Sequence, residues 1–267
     1  MNVERRPLLA CCFAVLALVC LAWARRFATA GAGAEALAGS ALSTAMVAVS
    51  LALAGALLRQ SSLQDALGLK PGHIGPGRLA VVALGTVGLS HLCGEVLRRT
   101  SLWEESVLQH AEATLTGLHG NELMLAAAGL VIAPAIGEEL LFRGLLLRGL
   151  LPRVGPAAAI LASSILFGAA HLDPGQAIAT SLLGVYLGVL AFASGSTRGA
   201  IACHMLNNAV ALASLSLGQP ALDEIEATPS VPGMVMAGGA ALAGSMALVG
   251  MLRRVPREYP DRDDLSS

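Results

Sequence analysis

Long apolar runs separated by short polar segments organise this chain. Eight can be marked: Leu8–Ala24, Ala41–Leu58, Leu79–Leu97, Leu123–Leu147, Ala157–Ala170, Ala177–Ala193, Gly199–Leu217 and Met234–Leu252. Barrel strands of outer-membrane proteins alternate apolar and polar residues over about ten positions. These runs are instead continuous and rich in Ala, Leu and Gly. Helical stretches of about 17–25 apolar residues match the hydrocarbon thickness of a bilayer. The pattern therefore predicts an all-α, polytopic transmembrane helix bundle with about eight spans. The weakest is Ala157–Ala170, which is short and stops at the polar break His171-Leu172-Asp173-Pro174-Gly175.

Composition narrows the class further. The 267 residues are 55% hydrophobic and 13% charged, with a net charge of −1. A soluble domain carries roughly 25% charge, so a soluble enzyme, a disordered chain and a nucleic-acid binder are all excluded. The near-zero net charge supplies no field for a polyanion. Arg5 and Arg6 before the first run and Ala22-Trp23-Ala24 after it imitate a signal peptide. The Arg25-Arg26 pair and the seven later runs favour an uncleaved first helix. With the amino terminus inside, Lys70, Arg148, Arg153, Arg198 and the arginines of both ends fall on the cytoplasmic side. Only Arg25, Arg26, Arg98 and Arg99 fall opposite, so the charge bias places both termini in the cytoplasm. Length and the Ala/Leu/Gly bias suggest a bacterial cytoplasmic (inner) membrane. The five cysteines show no metal or disulfide spacing and read as small buried hydrophobes. Between Arg98 and Asn121, Trp103, Val107, Leu108, Ala111, Leu115 and Leu118 recur at helical spacing, as in a helix lying on the membrane surface.

The runs hold only four charged residues, namely Glu95, Glu138, Glu139 and Arg143. A charge at mid-membrane costs roughly 2.5–3.5 kcal/mol on the insertion scale, which makes each a functional candidate. Glu139 and Arg143 are four apart on one helical face and can pair. Glu138 sits about 100° around the helix and is left available. Phe167 and His171 share a face at the end of the fifth run, with Gly168, Ala169 and Ala170 allowing close helix approach. His204 and Asn208 share a face of the seventh run, while Asn207 points elsewhere. Glu95, with Ser90 and His91, lies near Arg98 and Arg99 and reads as interfacial snorkelling.

Glu138, His171, His204 and Asn208 together offer a base, two imidazoles and an amide. A carboxylate in an apolar cavity is suited to take a proton from water. An imidazole and an amide can hydrogen-bond the oxyanion formed when that water attacks a peptide carbonyl. Hydrolysis of an amide bond within the membrane is the reaction class this suggests. Two histidines and a glutamate also suit a zinc site with an open position, although H-E-x-x-H spacing is absent. Spacing alone leaves both a glutamate-activated and a metal-activated water open. A scaffold or immunity factor held together by these residues is a second reading. A proton-relaying transporter is a third, weakened by the lack of an inverted repeat. Depth raises one difficulty: Glu138 and His171 lie roughly 15–22 Å from the cytoplasmic ends, but His204 only about 8 Å from Gly199. Either its helix starts earlier, near Ala191, or the fifth run is re-entrant.

The strings Glu138-Glu139-Leu140-Leu141-Phe142-Arg143-Gly144, Phe167-Gly168-Ala169-Ala170-His171 and His204-Met205-Leu206-Asn207-Asn208 resemble the ordered motifs of the CPBP family. That family includes the type II CAAX prenyl endopeptidases and the bacterial Abi-like intramembrane proteases linked to bacteriocin processing or immunity. The resemblance covers roughly Asn121 to Leu217 and implies three parts. Residues 1–120 would form amino-terminal helices and a linker, 121–217 the catalytic core, and 218–267 a last helix and tail. It further implies Glu138 as general base, His171 positioning the water, and His204 and Asn208 binding the oxyanion. Glu139, Arg143 and Phe167 would support them. The family has been described both as metalloproteases and as glutamate-dependent. The glutamate version, with no cofactor, is favoured here and a zinc ion is the alternative. The implied partners are the lipid bilayer and a membrane-associated protein or peptide substrate, with no nucleic acid.

Overall fold

A computed structural model describes residues 33–58, 62–103, 106, 111, 113–216 and 231–255. The first apolar run, the acidic segment around Asp223 and the tail beyond residue 255 lie outside the described residues. The described parts of the other seven runs are helical. Helix α1 covers Ala34–Leu57, the single turn α2 Leu63–Ala66, and α3 Pro76–Leu97. A helical run of 50 residues, Gly120–Ala169, follows. It comprises α4 Gly120–Ala126, a π-helical segment Ala127–Ile132 and α5 Ala133–Glu139. A second π-helical segment Leu140–Leu147 and α6 Arg148–Ala169 complete it. Then come α7 Pro174–Ser194, α8 Arg198–Ser216 and α9 Val231–Leu252. No strand occurs among the described residues, and the protein is a polytopic helical bundle.

Five of the described helical stretches are long and apolar enough to cross a membrane. At 1.5 Å per residue, the 50-residue stretch would reach about 75 Å, more than twice the hydrocarbon thickness. It breaks at Gly155, whose φ of 74° lies between Pro152 and Pro156. Two limbs result, matching the fourth and fifth apolar runs. Helix α8 is not among the five, since it carries His204, Asn207 and Asn208.

Small residues set the packing, as expected where apolar side chains gain little from leaving lipid. A Cβ on Gly129 would come within 2.4 Å of Ala38 O, and one on Gly137 within 2.7 Å of Ala45 O. Helix α1 therefore runs parallel to the stretch that carries Glu138, backbone against backbone. Helix α3 meets α9 in antiparallel fashion where Gly85 faces Gly244, the Cβ position of one lying 2.8 Å from the other's Cα. Tyr186 on α7 reaches the same junction and donates to Val82 O at 3.2 Å. Limb α6 and α7 are also antiparallel, closing at Gly168 against Ala177 and at Gly184 against Ser164.

The depth difficulty resolves at the turn before α8. Helix α8 does not start near Ala191, which belongs to α7. Instead the connection itself is recessed, with Ser194, Ser196 and Thr197 all buried. The segment from Leu67 to His73 covers it. Thr197 donates through its hydroxyl to Leu67 O at 2.8 Å and through its N–H to Gly68 O at 2.8 Å. Ser196 donates to Lys70 O at 2.7 Å, and the His73 N–H to Ser194 O at 2.8 Å. Arg148 holds the Gly195 carbonyl at 2.6 Å. Six residues into α8, His204 therefore already stands level with Glu139.

Two peripheral expectations have mixed outcomes. Glu95 pairs with Arg99 at 3.4 Å at the end of α3, as an interfacial charge should. The linker does not simply lie on lipid, because Leu115 is buried against a cluster with Ala126, Val131 and Leu212. Its apolar positions serve protein packing there, while Val107 and Leu108 lie outside the described residues. Cys203 is buried and Cys93 partly so, and both are free thiols. Cys11, Cys12 and Cys20 lie outside the described residues.

Candidate active site

The carboxylates enter on consecutive residues at the junction of α5 and the second π-helical segment. Glu139 and Arg143 are fully buried and joined at 2.6 Å, as their spacing predicts. The guanidinium is used further than the sequence suggests. A second N–H donates to Gly184 O on α7 at 3.1 Å, and Cζ lies 4.4 Å over the Phe167 ring. Such a planar, forked cation satisfies a carboxylate, a carbonyl and an aromatic face at once, which an ammonium cannot.

Glu139 also serves His204, whose Nδ1 lies 2.9 Å from the same Oε1 that Arg143 holds. A carboxylate oxygen only accepts, so Nδ1 carries the hydrogen and Nε2 is turned toward the neighbouring carboxylate. Glu138 Oε2 is 4.0 Å from that Nε2. Its side chain retains 15% exposure, against none for Glu139. One carboxylate is closed inside a network and its neighbour is open.

Phe167 is the hub of the group. Its ring packs edge-on against Phe142 at 5.3 Å, His171 at 5.2 Å and His204 at 5.9 Å. The contact that brings His171 to the other residues runs through this ring. Its Nδ1 lies 3.0 Å from Phe167 O, one helical turn back. A carbonyl also only accepts, so Nδ1 is again the protonated nitrogen. The ring sits at the turn after α6, where Leu172 adopts a left-handed φ of 58°. Asp173 then caps α7 by accepting the Gln176 N–H at 2.7 Å.

Asn208 is placed differently from expectation. Its amide donates to Leu130 O in the first π-helical segment at 3.1 Å. Asn207 does not point away from this group, since its Nδ2 lies 3.4 Å from Asn208 Oδ1. Glu138, Glu139, Arg143, Phe167, His171 and His204 thus form one contact group, and Asn208 flanks it on the α8 side. Sequence reasoning missed Phe142, the Gly184 carbonyl and the Leu130 carbonyl. Backbone acceptors leave little mark in a sequence, although Pro134 is a signal for the last. Among the described residues, no three His, Cys, Asp or Glu side chains are grouped to hold a metal ion.

The protein is thus a polytopic helical membrane protein with carboxylate, imidazole and guanidinium groups buried together between α5, α6 and α8. Residues 120–210 match the family model described as type II CAAX prenyl endopeptidase Rce1-like. That stretch contains every motif residue named above, and the match bears out the resemblance read from the sequence. Neither a curated protein nor a solved structure matches the chain.

Proposed function

We propose that the protein is an intramembrane endopeptidase cleaving peptide bonds of membrane-associated or CAAX-like protein substrates. The observation that carries this is the division of labour between adjacent carboxylates. Glu139 is fully buried with its Oε1 taken by Arg143 and His204, whereas Glu138 stands partly open, facing the His204 Nε2. Glu138 takes a proton from water as the water oxygen attacks the scissile carbonyl carbon. The oxyanion is held by His204 and by the Asn208 amide. Donation from His204 Nε2 requires the imidazolium, whose charge Glu139 at 2.9 Å and Glu138 at 4.0 Å offset. Glu138 then returns its proton to the departing nitrogen as the C–N bond breaks. His171, protonated at Nδ1, presents Nε2 as an acceptor that orients the water with Glu138.

No step in this scheme needs a metal, and complete, zinc-reversible loss of activity on chelation would overturn that part. The expected location is a bacterial cytoplasmic membrane with both termini inside. Support comes from Lys70, Arg78, Arg148, Arg153 and Arg198, which gather at one end of the bundle by the topology of their helices. The decisive test is Glu138→Gln in the full chain, reconstituted in liposomes with a membrane-associated peptide reporter. Cleavage should vanish while folded yield stays at the wild-type level. Retained cleavage would sink the assignment.

A further inference from the structure

The least expected hydrogen bond of the site runs from Asn208 to the Leu130 carbonyl, between residues 78 apart in sequence. In an α-helix the carbonyl of residue 130 accepts from the N–H of residue 134. Position 134 is proline, which has no N–H to give. Around it the backbone widens into the π-helical segment Ala127–Ile132, and α5 restarts at Ala133 with Pro134 in its first turn. A first-turn position is where a missing N–H is tolerated. The Leu130 carbonyl meets α8 instead, eight residues before Glu138.

Two further contacts fix the geometry. Gly129, next to Leu130, lies so close to Ala38 of α1 that a Cβ there would meet Ala38 O at 2.4 Å. Leu130 therefore follows a residue packed backbone to backbone against α1. On the other partner, Asn207 Nδ2 at 3.4 Å from Asn208 Oδ1 marks that oxygen as the acceptor end of the amide. The NH₂ end then faces Leu130, with one hydrogen engaged and one remaining.

We infer that Pro134 is a positioning residue for Asn208: by withdrawing the α-helical donor from Leu130 O, it leaves that carbonyl open to the Asn208 amide, which the contact orients. The kinetic consequence rests on the protease reading above, but the structural hold does not. A stability cycle on the full chain in lipid nanodiscs tests the hold directly, using Pro134→Ala, Asn208→Ala and the double variant. With Pro134 present, Asn208→Ala takes from the half-buried Leu130 carbonyl its partner on α8 and should lower the unfolding midpoint. In the Pro134→Ala background the helix supplies its own N–H to Leu130 O, so Asn208→Ala should lower the midpoint by less than half as much. Equal shifts in both backgrounds overturn the inference. On the peptide reporter, Pro134→Ala should reduce kcat at least tenfold with KM unchanged and no loss of folded yield. A wild-type kcat overturns the positioning role. Should Glu138→Gln retain cleavage, the protease reading fails alone, and the stability cycle still decides the Pro134 contact.

Discussion

Removing Arg143 should unfold the centre of this protein rather than merely slow it. The substitution Arg143→Ala deletes three contacts together: the 2.6 Å pair with Glu139, the 3.1 Å bond to Gly184 O and the cation over Phe167. Both charged groups have no solvent exposure, so Glu139 would lose its guanidinium partner and keep only His204 Nδ1 at 2.9 Å. Breaking such a pair from one side costs about 3–5 kcal/mol. The folded fraction relative to unfolded should then drop by about two to three and a half powers of ten, at 1.4 kcal/mol per power of ten. Equilibrium unfolding in mixed micelles, followed by tryptophan fluorescence and circular dichroism, measures it. The companion variant Glu139→Leu/Arg143→Met removes both charges and should be less destabilised than Arg143→Ala alone, because no charge is stranded. A wild-type unfolding curve for Arg143→Ala, or a double variant worse than the sum of the singles, would refute the reasoning.

Other outcomes follow from geometry at single positions. Gly137→Ala puts a Cβ 2.7 Å from the Ala45 carbonyl, a backbone atom that cannot swing away. It should destabilise by about 1–3 kcal/mol and lower activity, by moving α1 off the helix that carries Glu138. The control is Gly250→Ala, where nothing lies within 4 Å, and thermal melts of the two should move in opposite directions. Leu172→Gly relieves a left-handed φ of 58° and should raise stability by up to about 1 kcal/mol, the lower end of the left-handed cost for a residue with a Cβ. A lower melting point in that variant would mean the leucine side chain contributes more than its backbone strain removes.

Much of the bundle was legible because membrane helices announce themselves by length and continuity of apolar residues. The fourth and fifth runs were marked as ending at Leu147 and starting at Ala157, and the helix breaks between them, at Gly155 between Pro152 and Pro156. The Glu139–Arg143 pair was legible because a four-residue spacing on a helix is nearly a contact. What escaped was everything made between helices. That one Glu139 oxygen serves both Arg143 and His204 depends on the level of α8, which the recessed turn sets. Helical periodicity does not encode that level. The π-helical segments also escaped, since apolar runs such as Ala127–Ile132 carry no periodic signal that distinguishes π from α. Asn207 also escaped, because a contact between adjacent side chains on one helix, 3.4 Å here, is not given by the 100° step between them.

The covered turn between α7 and α8 has a consequence for how the molecule is assembled. Its hydrogen bonds reach back 126–130 residues, to Leu67, Gly68 and Lys70. During synthesis the covering segment exists long before Ser196 and Thr197 emerge, so the receiving surface is ready when the late turn arrives. Until that docking, the turn's buried hydroxyls and amides need water as a temporary partner, and α8 cannot settle to its final level. His204 therefore stands level with Glu139 only once that turn is docked. The centre is thus not assembled until segments 126–130 residues apart have met, and the hydrolytic chemistry proposed here would switch on only after that docking.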